Sequence, residues 1–280
     1  MIILNEKEFA EECIMFHRFY GKNPSQTLWI LAKYYRECEG MTTKNIERAL
    51  QNFLRSSLVQ YKYSEQIWND RIEKIVKKAK NAKLYQIDGV SITNDEMGII
   101  QSLNSKVLER LAFTLLCLAK LGNKKYETNN GWVNLDSKEI FKMAHISCKT
   151  DERYKKISIL GEKGLLEFPK SADNLSMRVT FINDNSEKIL YISDFRELGL
   201  EYLKYLGGNY VRCKECGKLV KGNKNGTRKF CNDCAGYTPI RKKVVTCMDC
   251  GKEFAVSSKD NKTKRCQECK EKTKLSNNRE

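Results

Sequence analysis

The sequence predicts a mainly α-helical protein with small β elements: an N-terminal helical domain, a mixed middle domain and a C-terminal module held by metal. Three observations predict it. Apolar residues recur at helical spacing from the N-terminus to about residue 82. A second helical stretch from Ser105 gives way to short alternating segments. Eight of the twelve cysteines fall in Cys-x2-Cys pairs within the last 70 residues.

A chain of 280 residues has room for a packed core and a smaller module. Its start, Met1-Ile2-Ile3-Leu4-Asn5-Glu6, lacks the basic and apolar regions of a signal peptide, and the longest apolar run, 111–119, is too short to span a bilayer. The expectation is a cytoplasmic protein with no membrane contact. In a reducing compartment paired cysteines favour metal over disulfides. The other four, Cys13, Cys38, Cys117 and Cys148, read as small, partly buried hydrophobes.

The first domain, 1–103, opens with Asn5-Glu6-Lys7-Glu8, a capping-box start for a helix ending at Gly21. Pro24 and Ser25 open a second helix closed by Gly40, and Thr42 or Thr43 starts a third. A fourth spans 64–80, with Ile67, Trp68, Ile72, Ile75, Val76 and Ala79 on one stripe. Helical spacing places the aromatics Phe9, Phe16, Phe19, Tyr20, Trp29, Tyr34, Phe53 and Trp68 in the core. Alternating apolar residues around Asp88-Gly89 predict a hairpin over 84–92, and a short helix over 94–103 follows.

The middle domain, 104–208, begins with a strongly apolar helix from Ser105 that stops at Gly122. Trp132-Val133-Asn134-Leu135 reads as a short strand, and Asp136 caps a helix through Ala144. After a turn at His145, a third helix runs from Thr150 or Asp151 to Lys163, with Tyr154, Ile157 and Leu160 buried and Gly164 as its left-handed cap. Segments 165–168 and 177–182 then alternate as a returning pair of strands. A last helix starts near Asp194 and breaks at Gly207-Gly208.

This order of elements, and Leu160-Gly161-Glu162-Lys163-Gly164-Leu165-Leu166 in particular, resembles winged helix-turn-helix proteins over about 80 residues. The resemblance implies that the third helix enters a major groove. Lys149, Thr150, Arg153, Lys155 and Lys156 would then face duplex DNA, with Arg153 suited to guanine, and Lys170 and Arg178 would lie on the wing. Glu152 and Glu162 share that helix and oppose a phosphate contact.

The C-terminal cysteines repeat with a period of 34: Cys213-Lys214-Glu215-Cys216-Gly217-Lys218 matches Cys247-Met248-Asp249-Cys250-Gly251-Lys252. Cys231 and Cys234 follow after 14 residues, Cys266 and Cys269 after 15. A Cys-x2-Cys knuckle presents two thiolates to one tetrahedral ion, and two knuckles fill its coordination sphere. The expected cofactors are therefore two structural Zn2+, one in unit 209–239 and one in unit 240–280. The repeat favours sequential over interleaved ligation. Val211, Leu219, Val220, Phe230, Ile240, Val244, Val245, Phe254 and Val256 form a core too thin to fold unaided, so metal binding supplies folding energy.

Formal charge concentrates in the same segment: 211–280 holds 19 basic and 8 acidic residues, a net +11 of the chain's +16. Two Zn(Cys)4 centres at about −2 each leave about +7. Arg228, Lys229, Arg241, Lys242, Lys243, Lys264 and Arg265 make a basic surface that resembles zinc-ribbon modules of nucleic-acid-handling proteins.

The expectation is a nucleic-acid-binding protein, acting on duplex DNA in transcription control or replication initiation. The Lys-, Asn- and Ile-rich composition and the layout resemble phage or mobile-element proteins of AT-rich bacteria. The alternatives are an adaptor whose N-terminal helices bind a host polymerase, ribosome or defence protein, and an RNA-binding protein. An enzyme is not expected. No histidine follows His145, which removes a nuclease whose cysteine pairs flank a catalytic histidine, and no phosphate-binding loop or His-Glu-x-x-His occurs.

Overall fold

Helix α1 (Glu6–Met15) starts where Asn5 accepts the Glu8 N–H at 3.1 Å. A computed structural model describes residues 2–19, 24–56, 65–169, 176–236, 242–257 and 263–271. Among these, α1 stops short of the expected Gly21, and His17 turns the chain at φ +46°. α2 (Pro24–Glu37) opens at a proline, which has no N–H to leave unpaired. α3 (Thr43–Ser56) and α4 (Glu65–Ala79) complete the group, the expected start of α4 at Ser64 lying outside the described residues.

These helices bury Leu28, Leu31, Leu50, Leu54, Trp68 and Ile72 in one cluster, where the Phe19 and Phe53 rings meet edge-on at 5.1 Å. Two residues expected inside, Phe16 and Ile67, are exposed. Phe16 lies beyond the last residue of α1, and Ile67 lies beside Trp68 at the margin of the α4 stripe. Lys33 is buried in the same cluster, paired with Glu6 and lying over the Trp29 and Tyr85 rings.

The hairpin expected over 84–92 does not form. β1 (Val90–Thr93) instead pairs antiparallel with the distant β5 (Lys188–Ile192), Val90 opposite Ile192, while Gln86 bridges to Asn5. Gly89 serves that close approach: a Cβ there would lie 2.2 Å from the Ile192 carbonyl oxygen.

The buried residues of a second cluster begin at Ile87, and Ile2, Leu4 and Tyr85 also pack against it. α5 (Asn94–Gln101) leads to α6 (Lys106–Lys125), which continues past the stop expected at Gly122. α6 is the centre of this cluster: Leu111, Phe113, Leu115, Leu116 and Ala119 are fully buried beneath its neighbours.

Around it follow β2 (Trp132–Val133), α7 (Ser137–Met143), α8 (Thr150–Glu162), β3 (Leu166–Glu167) and β4 (Met177–Val179). The strands form an antiparallel sheet in the order β2-β4-β3, so the strand preceding α7 pairs with the last of the three. Asp136 caps α7 through the Lys138 N–H at 2.6 Å, and Gly164 turns the chain out of α8 at φ +73°. Tyr154, expected in the buried line of α8, is exposed, because Ile157 and Leu160 centre the stripe and leave it at the edge.

α9 (Leu198–Tyr205) starts later than Asp194 and packs on α6; β6 (Tyr210–Arg212) and β7 (Leu219–Lys221) form a two-stranded sheet. Among the described residues no helix is long and apolar enough to cross a membrane.

The chain divides into two compact units, Met1–Val211 with Lys218–Lys224, and Arg212–Gly217 with Asn225–Glu280. The second contains the hairpin of β8 (Lys242–Thr246) and β9 (Glu253–Ser257), paired from Lys242 opposite Ser257 to Thr246 opposite Glu253. Val256 is buried there, whereas Val244 and Phe230, both expected in its core, are exposed; Ile240 lies outside the described residues.

Candidate metal centres and nucleic-acid interface

Each Cys-x2-Cys knuckle is a tight turn closed by a glycine. The Gly217 N–H donates to the Cys213 carbonyl at 2.9 Å, and the Gly251 N–H to the Cys247 carbonyl at 3.0 Å. Both glycines sit at positive φ, +69° and +68°, where a Cβ would strain the backbone. The partner pairs open helical turns: Ala235 N–H donates to the Cys231 carbonyl, and Lys270 N–H to the Cys266 carbonyl.

The knuckle is joined to the chain before the second pair by one more bond in each unit. Lys214 N–H donates to the Lys229 carbonyl at 2.9 Å, and Met248 N–H to the Lys264 carbonyl at 3.0 Å. The internal repeat is thus a repeat of hydrogen bonds as well as of residue types.

The sulfurs of Cys213, Cys216, Cys231 and Cys234 lie within 4.8 Å of one another, as do those of Cys247, Cys250, Cys266 and Cys269. The Cys216–Cys231 and Cys250–Cys266 separations are both 3.7 Å. A tetrahedral zinc with Zn–S bonds of about 2.3 Å sets its sulfurs about 3.8 Å apart, whereas a disulfide needs about 2.05 Å. The two groups are positioned to bind two zinc ions, and the ligation is sequential. Four thiolates complete each centre, leaving no position for a substrate.

The backbone prepares one thiolate in each group. N–H groups of Cys216 and Cys231 aimed at the Cys213 sulfur pull its pKa down to about 6. Those of Cys266 and then Cys250 do the same for Cys247, also to about 6, with the Cys266 N–H 3.3 Å from that sulfur. Cys269 moves the other way, to about 12, because its thiol is held by the sulfur of Cys250. Packed acids cannot all ionise together without a cation among them.

No protein-family model matches the chain, and neither a curated protein nor a solved structure matches it. Residue geometry therefore carries the functional reading.

Of the residues expected to face nucleic acid, Lys149, Thr150, Arg153, Lys155 and Lys156 are gathered on α8 and its N-cap. Lys149 and Lys155 are exposed, and Lys156 is half-buried. Arg153 is half-buried and donates to the Thr150 hydroxyl at 2.7 Å. Arg178 lies on β4 opposite Glu167 and is paired with it at 2.8 Å, its Nε donating to the Asn130 carbonyl. Lys170 lies outside the described residues.

In the second unit Lys229 and Lys264 are exposed, and Lys243 is half-buried. Arg228 donates to the Phe230 carbonyl at 3.2 Å and to Asn232 at 2.6 Å, and Arg265 pairs with Asp249 at 2.9 Å. Arg241 and the side chain of Lys242 lie outside the described residues. Arg153, Arg178, Arg228 and Arg265 thus make internal contacts, whereas Lys149, Lys155, Lys229 and Lys264 are exposed. Among the described residues of the zinc units, Met248 is the most exposed large apolar side chain, and its place at the same knuckle position as Lys214 was the available signal.

Proposed function

We propose that the protein binds duplex DNA through a winged helix formed by α6 to β4, and that its zinc-folded basic segment adds phosphate contacts. One observation carries the winged-helix reading: three helices are interleaved with three strands in the order α6-β2-α7-α8-β3-β4, and β4 lies between β2 and β3. In a winged helix that arrangement makes α8 the recognition helix and β3–β4 the wing. Lys149, Lys155 and Lys156 on α8 are the phosphate contacts, and Arg153 reaches a base edge once it exchanges Thr150 for a guanine.

The concentration of +11 in residues 211–280 supports the second part. Closed zinc centres fold such a segment without performing chemistry, so the reading is a binding protein and not an enzyme. Its setting is transcription control or replication initiation in a phage or mobile element of an AT-rich bacterium.

A second reading has its own support. Tyr154, Ile159 and Phe168 are exposed on or beside α8, together with acidic Asp151, Glu152 and Glu162. That mixture suits a protein partner better than a phosphate backbone, and it favours an adaptor.

Selection from a random duplex library, followed by binding of Arg153→Ala and Lys156→Ala to the selected site, separates the two. Under the DNA reading a discrete site emerges; Arg153→Ala costs about 1 to 3 kcal/mol and relaxes preference at one position. Under the adaptor reading no site emerges and both variants bind duplex as the parent does.

A further inference from the structure

Each zinc unit carries the same small surface made from different positions. The bond from residue 214 to 229 in the first unit, and from 248 to 264 in the second, sets the first residue inside the knuckle alongside the chain just before the third cysteine. In the first unit these positions hold Lys214, Lys229 and Phe230. In the second they hold Met248, Lys264 and Arg265.

Both sets contain two cations and one apolar side chain, but the apolar residue has changed sides. It comes from the loop as Phe230 in the first unit, 42% exposed, and from the knuckle as Met248 in the second, 68% exposed. Lys214, Lys229, Lys264 and Arg265 are also exposed. A composition kept while its positions are exchanged is a property of the surface, since no packing demand is met by an exposed Phe or Met.

Both surfaces are held in place. Arg228 bonds the Phe230 carbonyl and Asn232, fixing the loop that presents the ring. Arg265 is strapped across its knuckle to Asp249 at 2.9 Å, which fixes the turn beside Met248. Glu215 is the acidic counterpart of Asp249 in the first knuckle.

We infer that these two surfaces bind single-stranded DNA, an unpaired base resting on Phe230 or Met248 while Lys214, Lys229 and Lys264 hold the flanking phosphates and Arg265, braced by Asp249, adds positive charge beside them. An exposed flat or polarizable side chain flanked by cations matches a base and its backbone; the apolar side chain gains nothing from a paired duplex, whose base faces are stacked away, while the cations can still meet its phosphates. The inference rests on the proposal that this is a DNA-binding protein and adds a single-stranded ligand to the duplex phosphate contacts of the zinc units.

The test uses the full-length zinc-loaded protein and fluorescein-labelled dT20 and a 20-bp duplex, read by anisotropy, with the zinc count of every variant measured. The expected result is that Phe230→Ala and Met248→Ala each weaken dT20 binding about ten-fold while leaving duplex affinity unchanged. Lys229→Glu with Lys264→Glu should flatten the dependence of dT20 affinity on salt by about 1.4 in log-log slope.

Phe230→Leu serves if Phe230→Ala loses zinc: it keeps the bulk, and dT20 affinity should still fall. Unchanged dT20 affinity in the apolar variants overturns the inference and leaves the duplex reading standing if Lys156→Ala still weakens duplex binding. Equal losses on dT20 and duplex also overturn it. Failure of the parent protein to bind either probe overturns both readings.

Discussion

The carboxylate of Glu96 meets the ammonium of Lys120 inside the second hydrophobic cluster, 2.7 Å from each oxygen, with side-chain exposures of 0% and 5%. Glu96 also accepts the N–H of Thr93 at the start of α5 and that of Asn183 after β4. One buried group thus ties β1 and α5 to α6 and to the chain leading into β5. Lys120 has a further partner in Asp184 at 2.9 Å.

Glu96→Ala leaves that ammonium buried beside two unpaired backbone donors. The expected cost is about 3 to 5 kcal/mol, a fall in melting temperature of roughly 6 to 20 °C. Thermal denaturation of Glu96→Ala and of the double variant Glu96→Gln, Lys120→Met checks this. The double variant should be the more stable of the two, and an unchanged midpoint for the single variant would remove the pair from the stability of the fold.

Gly199 in α9 has a different role. A Cβ on it would stand 2.0 Å from the Ala144 carbonyl oxygen, so α9 approaches the end of α7 only because that position is glycine. Gly199→Ala should lose about 1 to 3 kcal/mol, seen as a lower denaturation midpoint. Gly164→Ala differs in origin, since nothing crowds that Cβ and only its φ of +73° is unfavourable.

Zinc retention should depend on pH with a definite sign. Cys213 and Cys247 have free-thiol pKa values pulled down from 9.0 to about 6, so the thiolates that bind metal persist above 6 and are protonated below it. Bound zinc favours the thiolates further, which puts release at still lower pH. Release requires protonation of the ligand thiolates, so a chromogenic chelator should find two ions held at neutral pH and freed in acid. Metal lost already at pH 8, or both ions kept at pH 3, would contradict this origin of the affinity.

The metal centres were fully legible in the sequence because each ligand pair is local and the repeat pairs them in order. The helices were legible for a related reason: α3, α4 and α8 each bury one face set by residues three and four apart, and α6, buried on every side from Leu111 to Leu121, shows as an apolar run. What escaped was non-local. Asp88-Gly89 reads as a hairpin turn, but its glycine answers to Ile192, about a hundred residues on, and no local pattern announces that strand partner. Gly122 reads as a helix stop, yet it lies within α6 where Asn129 folds against it, the amide nitrogen 2.6 Å from where a Cβ would be. The exposed Phe230 and Val244 were read as core because a zinc-held unit needs less burial than hydropathy suggests.

A zinc-folded basic protein that grips DNA through phosphates must bind more weakly as salt rises. The direct measurement is the affinity for a duplex carrying the selected site, followed across salt concentrations with two zinc ions bound. The account predicts a log-log slope of about −5 to −7, as expected for about 6 to 8 phosphates, and loss of most of that slope after zinc removal. Binding that is insensitive to salt, or a slope unchanged by chelation, would contradict it.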